Sequence, residues 1–530
     1  MYKTRLVLII ILLTNFNIFS QAEEQITVND TINNLSTTND VVDFFSISLS
    51  DDELNDDTSA SDNISGLLNS SMDIFYRTAA YEFSSSFFKV RGLDSDNAIV
   101  HINGIKMNKL YNGRPQWSNW GGLNDVLRNQ ELSNGSIPLK YNFGGILGSN
   151  NINIRASEYG EGGRITYSSS NRSYSNRLMA TYNSGMLEKG WAYSLSIGRR
   201  WGNEGYQDAS FYDSNSAFLS VQKIFNSKHS LNLAAIYAPN RRGKVSPNTQ
   251  EVYDLKGIKY NEYWGYQDGE KRNSRVKRVV EPIILLNHDW SIDENSSLET
   301  SIGYQFGEMG NSRLDYAGGG NPSPAYYQDL PSYFLADTNG PDYEGAYIAQ
   351  ENFVNDGQIN WNRIYDANIT NNLSNLNAAY VLYEDRVDDT QLTINSAYNR
   401  EINENIKITS SLNYRNLVSD NFAEISDMLG GYSYSNIDSF DNLDYNLLSP
   451  NSIVSDGDKF KYHYKMNAEE ISLFSMINFS YNKLEFYLAG DLTNTTYQRD
   501  GIFENEANAG NSSGKGEEIK FDGYGVKAGI

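Results

Sequence analysis

The sequence predicts a mainly β protein, an antiparallel transmembrane β-barrel that is C-terminally incomplete, preceded by a small mixed α/β domain. Three observations predict it. From about residue 159 onward, segments that alternate apolar and polar side chains come in pairs joined by short polar turns, which is the pattern of β-hairpins. Short turns alternate with long connections, the asymmetry of a barrel with one simple and one elaborated end. Ahead of them, residues 64–156 are short apolar segments broken by glycine.

The bulk numbers restrict the function. The chain has 530 residues and a formal net charge of -23, with a mean hydropathy of -0.54. A helical membrane protein would need several long apolar runs, whereas a barrel alternates lipid-facing and lumen-facing residues and stays polar on average. Aromatic residues make up 13%, with 38 Tyr against 23 Phe and 7 Trp. Tyr and Trp suit a boundary apolar on one side and wet on the other, although Tyr is also a good strand former. With no cysteine, disulfides, thiolate metal sites, cysteine nucleophiles and a lipidated N-terminal cysteine are all excluded. His101, His229, His288 and His463 are scattered outside any metal-ligand spacing. The acidic balance argues against nucleic acid as a partner.

The elements follow in order. Lys3 and Arg5 precede the apolar run 6–13, and Ser20-Gln21-Ala22 puts small residues where a signal peptidase cleaves; residues 1–22 read as a signal peptide. Residues 23–62, rich in Asp, Asn, Ser and Thr, have too few apolar groups for a core and read as a flexible periplasmic arm. Within it, 26–28 and 41–47 are short apolar patches able to add to the edge of a partner sheet. The compact domain occupies 63–157, with short helices expected at 65–68 and 123–128 and half-buried strands at 87–91, 98–102 and 151–155.

The barrel occupies 158–530. Trp191, Tyr193, Leu195 and Ile197 share one face, with Ala192, Ser194, Ser196 and Gly198 on the other. Further hairpins join Ala217, Leu219 and Val221 to Leu231, Leu233, Ala235 and Tyr237, and Ile284, Leu286 and Trp290 to Leu298, Ile302, Tyr304 and Phe306. Two more join Leu392, Ile394 and Tyr398 to Ile408, Leu412 and Tyr414, and residues 473–479 through Asn482-Lys483 to Leu484, Phe486 and Leu488. The long connections, 239–281, 307–371 and 416–469, read as extracellular loops without regular structure. The last ten residues still alternate, with Tyr524, Val526, Ala528 and Ile530 on one face. About a dozen strands fit into the chain, and it stops inside a strand at a residue, Ile530, that is not aromatic, so a truncated chain or gene fragment is expected.

In the compact domain a helix is followed by "FKVRG", by "VHING" with a tight turn at Asn103-Gly104, by a second helix and by "FGGILGSNNINI". This ordered series, over about 90 residues and followed by a barrel pattern, resembles the plug domain of TonB-dependent outer-membrane receptors. The resemblance is closest to their Bacteroidetes branch, including "NGRPQWSNWGGLNDVLRNQ" at 112–130. Two features of that branch are not found, a TonB box and a carboxypeptidase-regulatory-like domain before the plug. "FGGILGSNNINIRAS" also departs from the "YGSRGANGVI" pattern of starch-utilisation-type porters, which points away from large glycans delivered under a lipoprotein lid.

The resemblance implies active uptake of a scarce nutrient, a siderophore, cobalamin, haem, peptide or oligosaccharide, at the cell outer membrane. Ligand would bind extracellular loops and the plug apex, and TonB, powered by ExbB and ExbD, would pull the arm and rearrange the plug. The partners are then TonB with ExbB/ExbD, the extracellular ligand and outer-membrane lipid. No bond is made or broken, so no enzyme activity, cofactor or metal is implied. The candidate apical residues are Tyr111, Arg114, Gln116, Trp117, Asn119 and Trp120; packing of Trp117 and Trp120 between plug and wall is the other reading of those rings. A second set, Arg241, Arg242, Tyr263, Trp264 and Tyr266, falls on an outer loop. The residues around Asp337 to Glu344 do not keep the spacing of a Ca²⁺ loop. A passive outer-membrane channel, a surface adhesin and a barrel-embedded hydrolase are the alternatives, and a soluble β-sandwich or propeller the alternative fold.

Overall fold

The computed structural model describes residues 46–49, 93–133, 135–169, 174–336 and 340–530. The expected signal peptide, the arm apart from 46–49, the helix at 65–68, the strand at 87–91 and residues 337–339 lie outside the described residues.

The first sheet is small and mixed. It is built from β1 (Ser46–Leu49), β2 (Ile99–Ile102), β3 (Ile105–Lys106), β4 (Gln130–Ser133) and β5 (Ser149–Ile152), in the order β1-β4-β5-β2-β3. β2 and β5 run parallel, and the other pairs are antiparallel. The Asn103-Gly104 turn forms as the sequence predicts: both residues have positive φ, 47° and 77°, as a two-residue hairpin turn of this hand requires. β1 shows edge addition in cis, since Ser46–Leu49 pairs with Gln130–Ser133. The helix expected at 123–128 is instead a three-residue 3₁₀ turn, Asn124–Val126. Leu123, Val126 and Leu127 are all buried in one core. A short amphipathic run thus met its burial demand with a single turn, too little for an α-helix to propagate.

The barrel wall begins at β6 (Gly162–Ser169) and continues through β7 (Asn176–Asn183), β8 (Trp191–Gly202), β9 (Tyr212–Ile224), β10 (His229–Tyr237) and β11 (Asn240–Gly243). After helix α1 (Gln250–Lys256) and a small hairpin of β12 (Trp264–Gln267) and β13 (Glu270–Asn273), it resumes with β14 (Val276–Val280), β15 (Ile283–Asp293) and β16 (Ser296–Tyr316). Helices α2 (Pro331–Leu335), α3 (Tyr343–Asp356) and α4 (Trp361–Leu373) then precede β17 (Tyr380–Asn403) and β18 (Ile406–Asp427). A two-stranded patch, β19 (Tyr434–Ser435) with β20 (Ile453–Val454), leads to β21 (Lys459–Tyr481) and β22 (Leu484–Gly501). The chain closes with β23 (Gly514–Lys515) and β24 (Ile519–Gly529).

Among the described residues, fifteen strands join one antiparallel sheet. β10 with β11, and β14 with β15, are each one stave interrupted around a proline, Pro239 and Pro282, which has no N–H to give to the ladder. With the two-residue β23 set aside, twelve staves meander in sequence order. The four hairpins read from the sequence are the observed pairs β9–β10, β15–β16, β17–β18 and β21–β22, and the strand read at 191–198 lies within β8.

The burial pattern of the staves is inverted relative to a soluble sheet. On β8, Ile197 is 64% exposed while Ser196 beside it is 1% exposed. Leu195, Leu219, Leu233, Leu286, Leu412, Leu473 and Leu488 are likewise exposed, whereas Ser194, Ser220, Gln222, Asn232, Asn287 and Thr409 are buried. A contiguous outward apolar band of this extent is not tolerated in water, but it is what a lipid-facing wall around a polar lumen requires. Among the described residues, no helix is long and apolar enough to cross a membrane.

The three long connections expected to lack structure are partly regular. β11 and β14 continue the wall inside 239–281, β16 extends to Tyr316, and β18 and β21 reach Asp427 and back from Lys459. In these extensions the outward positions are charged: Arg278 pairs with Glu308 and Glu384, and Arg386 with Glu308, Asp388 and Glu424. The strand period persists there, but ion pairs replace the apolar signal that would have revealed it.

Candidate functional site

The mixed domain fills the lumen of the wall, and one apolar cluster joins its Ile102, Ile105 and Trp120 to Phe218, Ile236, Ile283 and Leu285 of the wall. Three polar clusters also fasten it.

Toward the end with the long connections, Lys109 lies between two wall carboxylates, Glu281 and Asp389, the latter at 2.9 Å. Glu281 also accepts from Asn119 Nδ2 at 2.7 Å. Lys109, Glu281 and Asp389 are all nearly inaccessible. Burial alone would lower the pKa of Lys109, but the two carboxylates outweigh it and raise the ammonium above its ordinary range. Tyr111, two residues on, is pushed up to about 12 by burial, against the pull of Lys109.

At mid-height, Arg415 of β18 donates to the Asn108 carbonyl and approaches Glu470 at 3.4 Å, and Glu470 also faces Lys106 at 3.7 Å. Tyr497 donates its hydroxyl to the Leu110 carbonyl at 2.9 Å. The Asn103 turn is held by a reciprocal amide pair. Its Nδ2 donates to Asn287 Oδ1 at 2.8 Å, Asn287 Nδ2 donates to the Asn103 carbonyl at 3.2 Å, and Ser301 Oγ donates to that carbonyl at 2.9 Å. Asn103 Oδ1 in turn accepts from the Ile154 N–H at 2.8 Å.

Near the short turns, Arg155 makes two bonds to Asp289, at 2.9 and 3.2 Å, and a third contact to Glu299 at 3.3 Å. Glu299 also accepts from Lys140 at 2.7 Å and Tyr141 at 2.6 Å. Burial opposes the charge of Arg155, yet Asp289 and Glu299 hold its pKa well above the usual value.

The apical candidates separate into two groups. Trp117 is 50% exposed, Tyr111 is 40% exposed, and Arg114 is open and 3.3 Å from Asp94; Gln116 donates to Ser118 Oγ at 2.6 Å. Asn119 is buried and committed to Glu281. Trp120 belongs to the hydrophobic core shared by the inner domain and the wall, edge-on to Trp117 at 5.7 Å. The packing reading therefore describes Trp120, while Trp117 faces open space. Next in the chain, Gly121 and Gly122 lie under Arg200 of the wall; a Cβ on Gly122, whose φ is 89°, would come within 2.8 Å of Arg200 Nε. Both glycines let the guanidinium rest on the backbone.

The outer-loop candidates are not one cluster. Arg241 and Arg242 are adjacent on β11 and so point to opposite faces. Arg241 faces outward, paired in register with Asp213 and Arg278. Arg242 faces the lumen, opposite Lys277. Trp264 is buried beneath Lys271, which lies 4.7 Å over its ring, with Tyr266 edge-on at 5.3 Å. Tyr263 stacks under Arg275 at 5.2 Å. The fastening residues Lys109, Glu281, Asp389, Arg155 and Glu299 escaped the sequence reading, because pairs such as Lys109 with Asp389 lie 280 positions apart and no local pattern marks them. Among the described residues, no group of three or more His, Asp or Glu is placed to hold a metal ion.

No protein-family model matches the chain, and no curated protein matches it. Solved structures do. The ferric-catecholate import receptor Fiu of E. coli K12, in an open form, is 10% identical, with a TM-score of 0.51 and coverage of 91% of this chain and 66% of that one. The ferric citrate transporter FecA in its unliganded form is 9% identical, with a TM-score of 0.50 and coverage of 83% and 53%. The siderophore receptor PiuA of Acinetobacter baumannii is 12% identical, with a TM-score of 0.47 and coverage of 83% and 55%. The chain thus spans a little over half of the length of PiuA and FecA.

Proposed function

We propose, from a fold that is that of the TonB-dependent outer-membrane receptors, that the chain is the plug and leading part of the barrel of a receptor that imports a scarce small nutrient. Residues 63–157 act as the plug and 158–530 as wall, in the outer membrane, after export through a cleaved signal peptide. The observation that carries this reading is the fastening of the inner domain by Lys109, Glu281 and Asp389. Buried charge pairs contribute little net stability, yet cost several kcal/mol when one partner is removed, which suits an element that has closed and released states. A ligand that favours one state shifts the balance by the difference in its affinity for the two.

In this account ligand settles on Trp117, Tyr111, Arg114 and Gln116 at the plug apex and on residues beside it such as Arg242 of β11 and Tyr263. TonB, driven by ExbB and ExbD, then draws on the segment before the plug. The pairing of β1 with β4 gives such a pull a direct grip on the plug sheet, since a β-strand peels from its neighbour one hydrogen-bonded pair at a time. No covalent chemistry is required. The test is deletion of the gene in its source bacterium, followed by uptake assays over a panel of iron chelates, cobalamin, peptides and oligosaccharides. One nutrient should lose uptake on deletion, and a protonophore should abolish the same uptake in the parent. Uptake that is unaffected by the protonophore would instead support a passive channel.

A further inference from the structure

Resting on the receptor reading, the lumen wall beside the plug apex carries a feature that narrows the ligand. Arg200, Arg242, Lys244, Arg275 and Lys277 form a continuous arc. The Arg200 guanidinium lies over the rings of Tyr212 at 5.2 Å and Tyr174 at 5.6 Å. Tyr212 is paired in register with Arg242, and Arg242 with Lys277. The Lys244 N–H donates to the Arg275 carbonyl at 2.7 Å, placing those two side by side.

Among the described residues, none of these five makes a salt bridge, and Arg200 Nε is buried without a hydrogen-bond partner. In a chain with 66 acidic against 43 basic residues, that is not a compositional accident. The carboxylates closest to the arc are taken: Glu281 and Asp389 by Lys109, and Asp385 by Arg313 at 2.7 Å and the Tyr462 hydroxyl at 2.8 Å. On the outward face of the same staves Arg199 and Arg278 are each bonded to a carboxylate, while Arg241 lies over the Phe211 ring at 5.7 Å. Like charges directly opposite on a sheet destabilise it, so the arrangement is maintained against its own repulsion. Lys244, which lies beyond the end of β11, has its pKa lowered first by burial and then by Arg313, Arg275 and Arg242.

We propose that this arc is the seat for a small polyanion, a ligand bearing several carboxylate or phosphate oxygens, held by Arg242, Lys244, Arg275 and Lys277, with Arg200, packed on Gly121 and Gly122 of the plug, closing one end of the seat. Tyr174, Tyr212 and Tyr263 supply ring faces around it, and the half-buried setting of the cations strengthens each charge-assisted bond. Neutral oligosaccharides and cobalamin do not meet this need.

The experiment is isothermal titration of the full chain, folded in detergent, with citrate, with pyrophosphate and with maltohexaose as the neutral probe. The expected result is binding of one or both anions that weakens as salt rises, at least tenfold weaker in R242Q and in K277Q, and unchanged in R241Q on the opposite face of the same strand. Because each lumen substitution relieves repulsion, the thermal midpoint of R242Q and K277Q should not fall, which separates lost binding from lost folding. Citrate as against pyrophosphate distinguishes a carboxylate from a phosphate ligand. Failure of both anions to bind, equal loss in R241Q, or equal binding of maltohexaose would overturn the proposal. Energised uptake of a neutral nutrient by the same receptor would then leave the receptor reading standing without it.

Discussion

Lys109 of the plug loop places its ammonium 2.9 Å from the carboxylate of Asp389 on the barrel wall, inside a contact that excludes water. With Glu281 on its other side, one cation neutralises two buried anions. Substitution K109M leaves both carboxylates uncompensated, and removal of one partner from a buried pair costs about 3–5 kcal/mol. The expected outcome is a plug that releases at lower denaturant concentration while the barrel still resists, read by limited proteolysis of the plug in folded protein. The double variant E281Q/D389N in the K109M background should recover much of the loss.

Acidification should loosen the plug through His101. This side chain is 2% exposed, stacked on Tyr141 at 6.0 Å, and its pKa is lowered to about 3 by burial and by Lys106 and Arg415. The folded state therefore holds a neutral imidazole, while the unfolded chain takes up a proton below its ordinary pKa of about 6.5. Stability contributed by this group is complete above about pH 6.5 and is lost as pH falls toward about 3, with a slope of about 1.4 kcal/mol per unit. Plug unfolding followed by fluorescence from pH 7 to about pH 5.5, above the range in which carboxylates titrate, should show this one-proton dependence, and H101Q should remove it.

The inverted burial pattern makes an asymmetric prediction on one strand. Ile197 faces outward and Ser196 faces the lumen. An arginine at a lipid-facing position costs roughly 2–4 kcal/mol at the bilayer midplane, so I197R should reduce the heat-modifiable folded species in membranes and leave the plug contacts intact. Conversely, S196L should disturb the plug and spare membrane insertion. If both variants behaved alike, the assignment of faces would be wrong.

Much of the wall was legible in the sequence because period-two alternation and polar turns act together. Ile197 and its neighbours mark lipid, and turns such as Asn482-Lys483 mark the reversal. The extensions beyond the lipid were not legible: at Arg278, Glu308 and Arg386 the outward face is charged, and Pro239 and Pro282 cut two staves in half. The Asn103-Gly104 turn was legible because its chemistry is local. The fastening triad of Lys109, Glu281 and Asp389 was not, since it exists only once distant strands are brought around the plug. Of the outer-loop candidates, Arg241 and Arg242 read as a pair, yet strand geometry sends them to opposite faces.

The most direct test of a movable plug uses the absence of native cysteine. Asp125 of the plug and Thr181 of β7 are buried neighbours, with Thr181 Oγ1 3.3 Å from Asp125 Oδ2, and both have short side chains. A D125C/T181C variant, oxidised in intact cells, would tether plug to wall. The account predicts that energised uptake stops on oxidation, that binding of ligand at the surface persists, and that a reducing agent restores uptake while neither single cysteine variant responds. Uptake that continues at the parent rate through the fully oxidised, tethered receptor would contradict it.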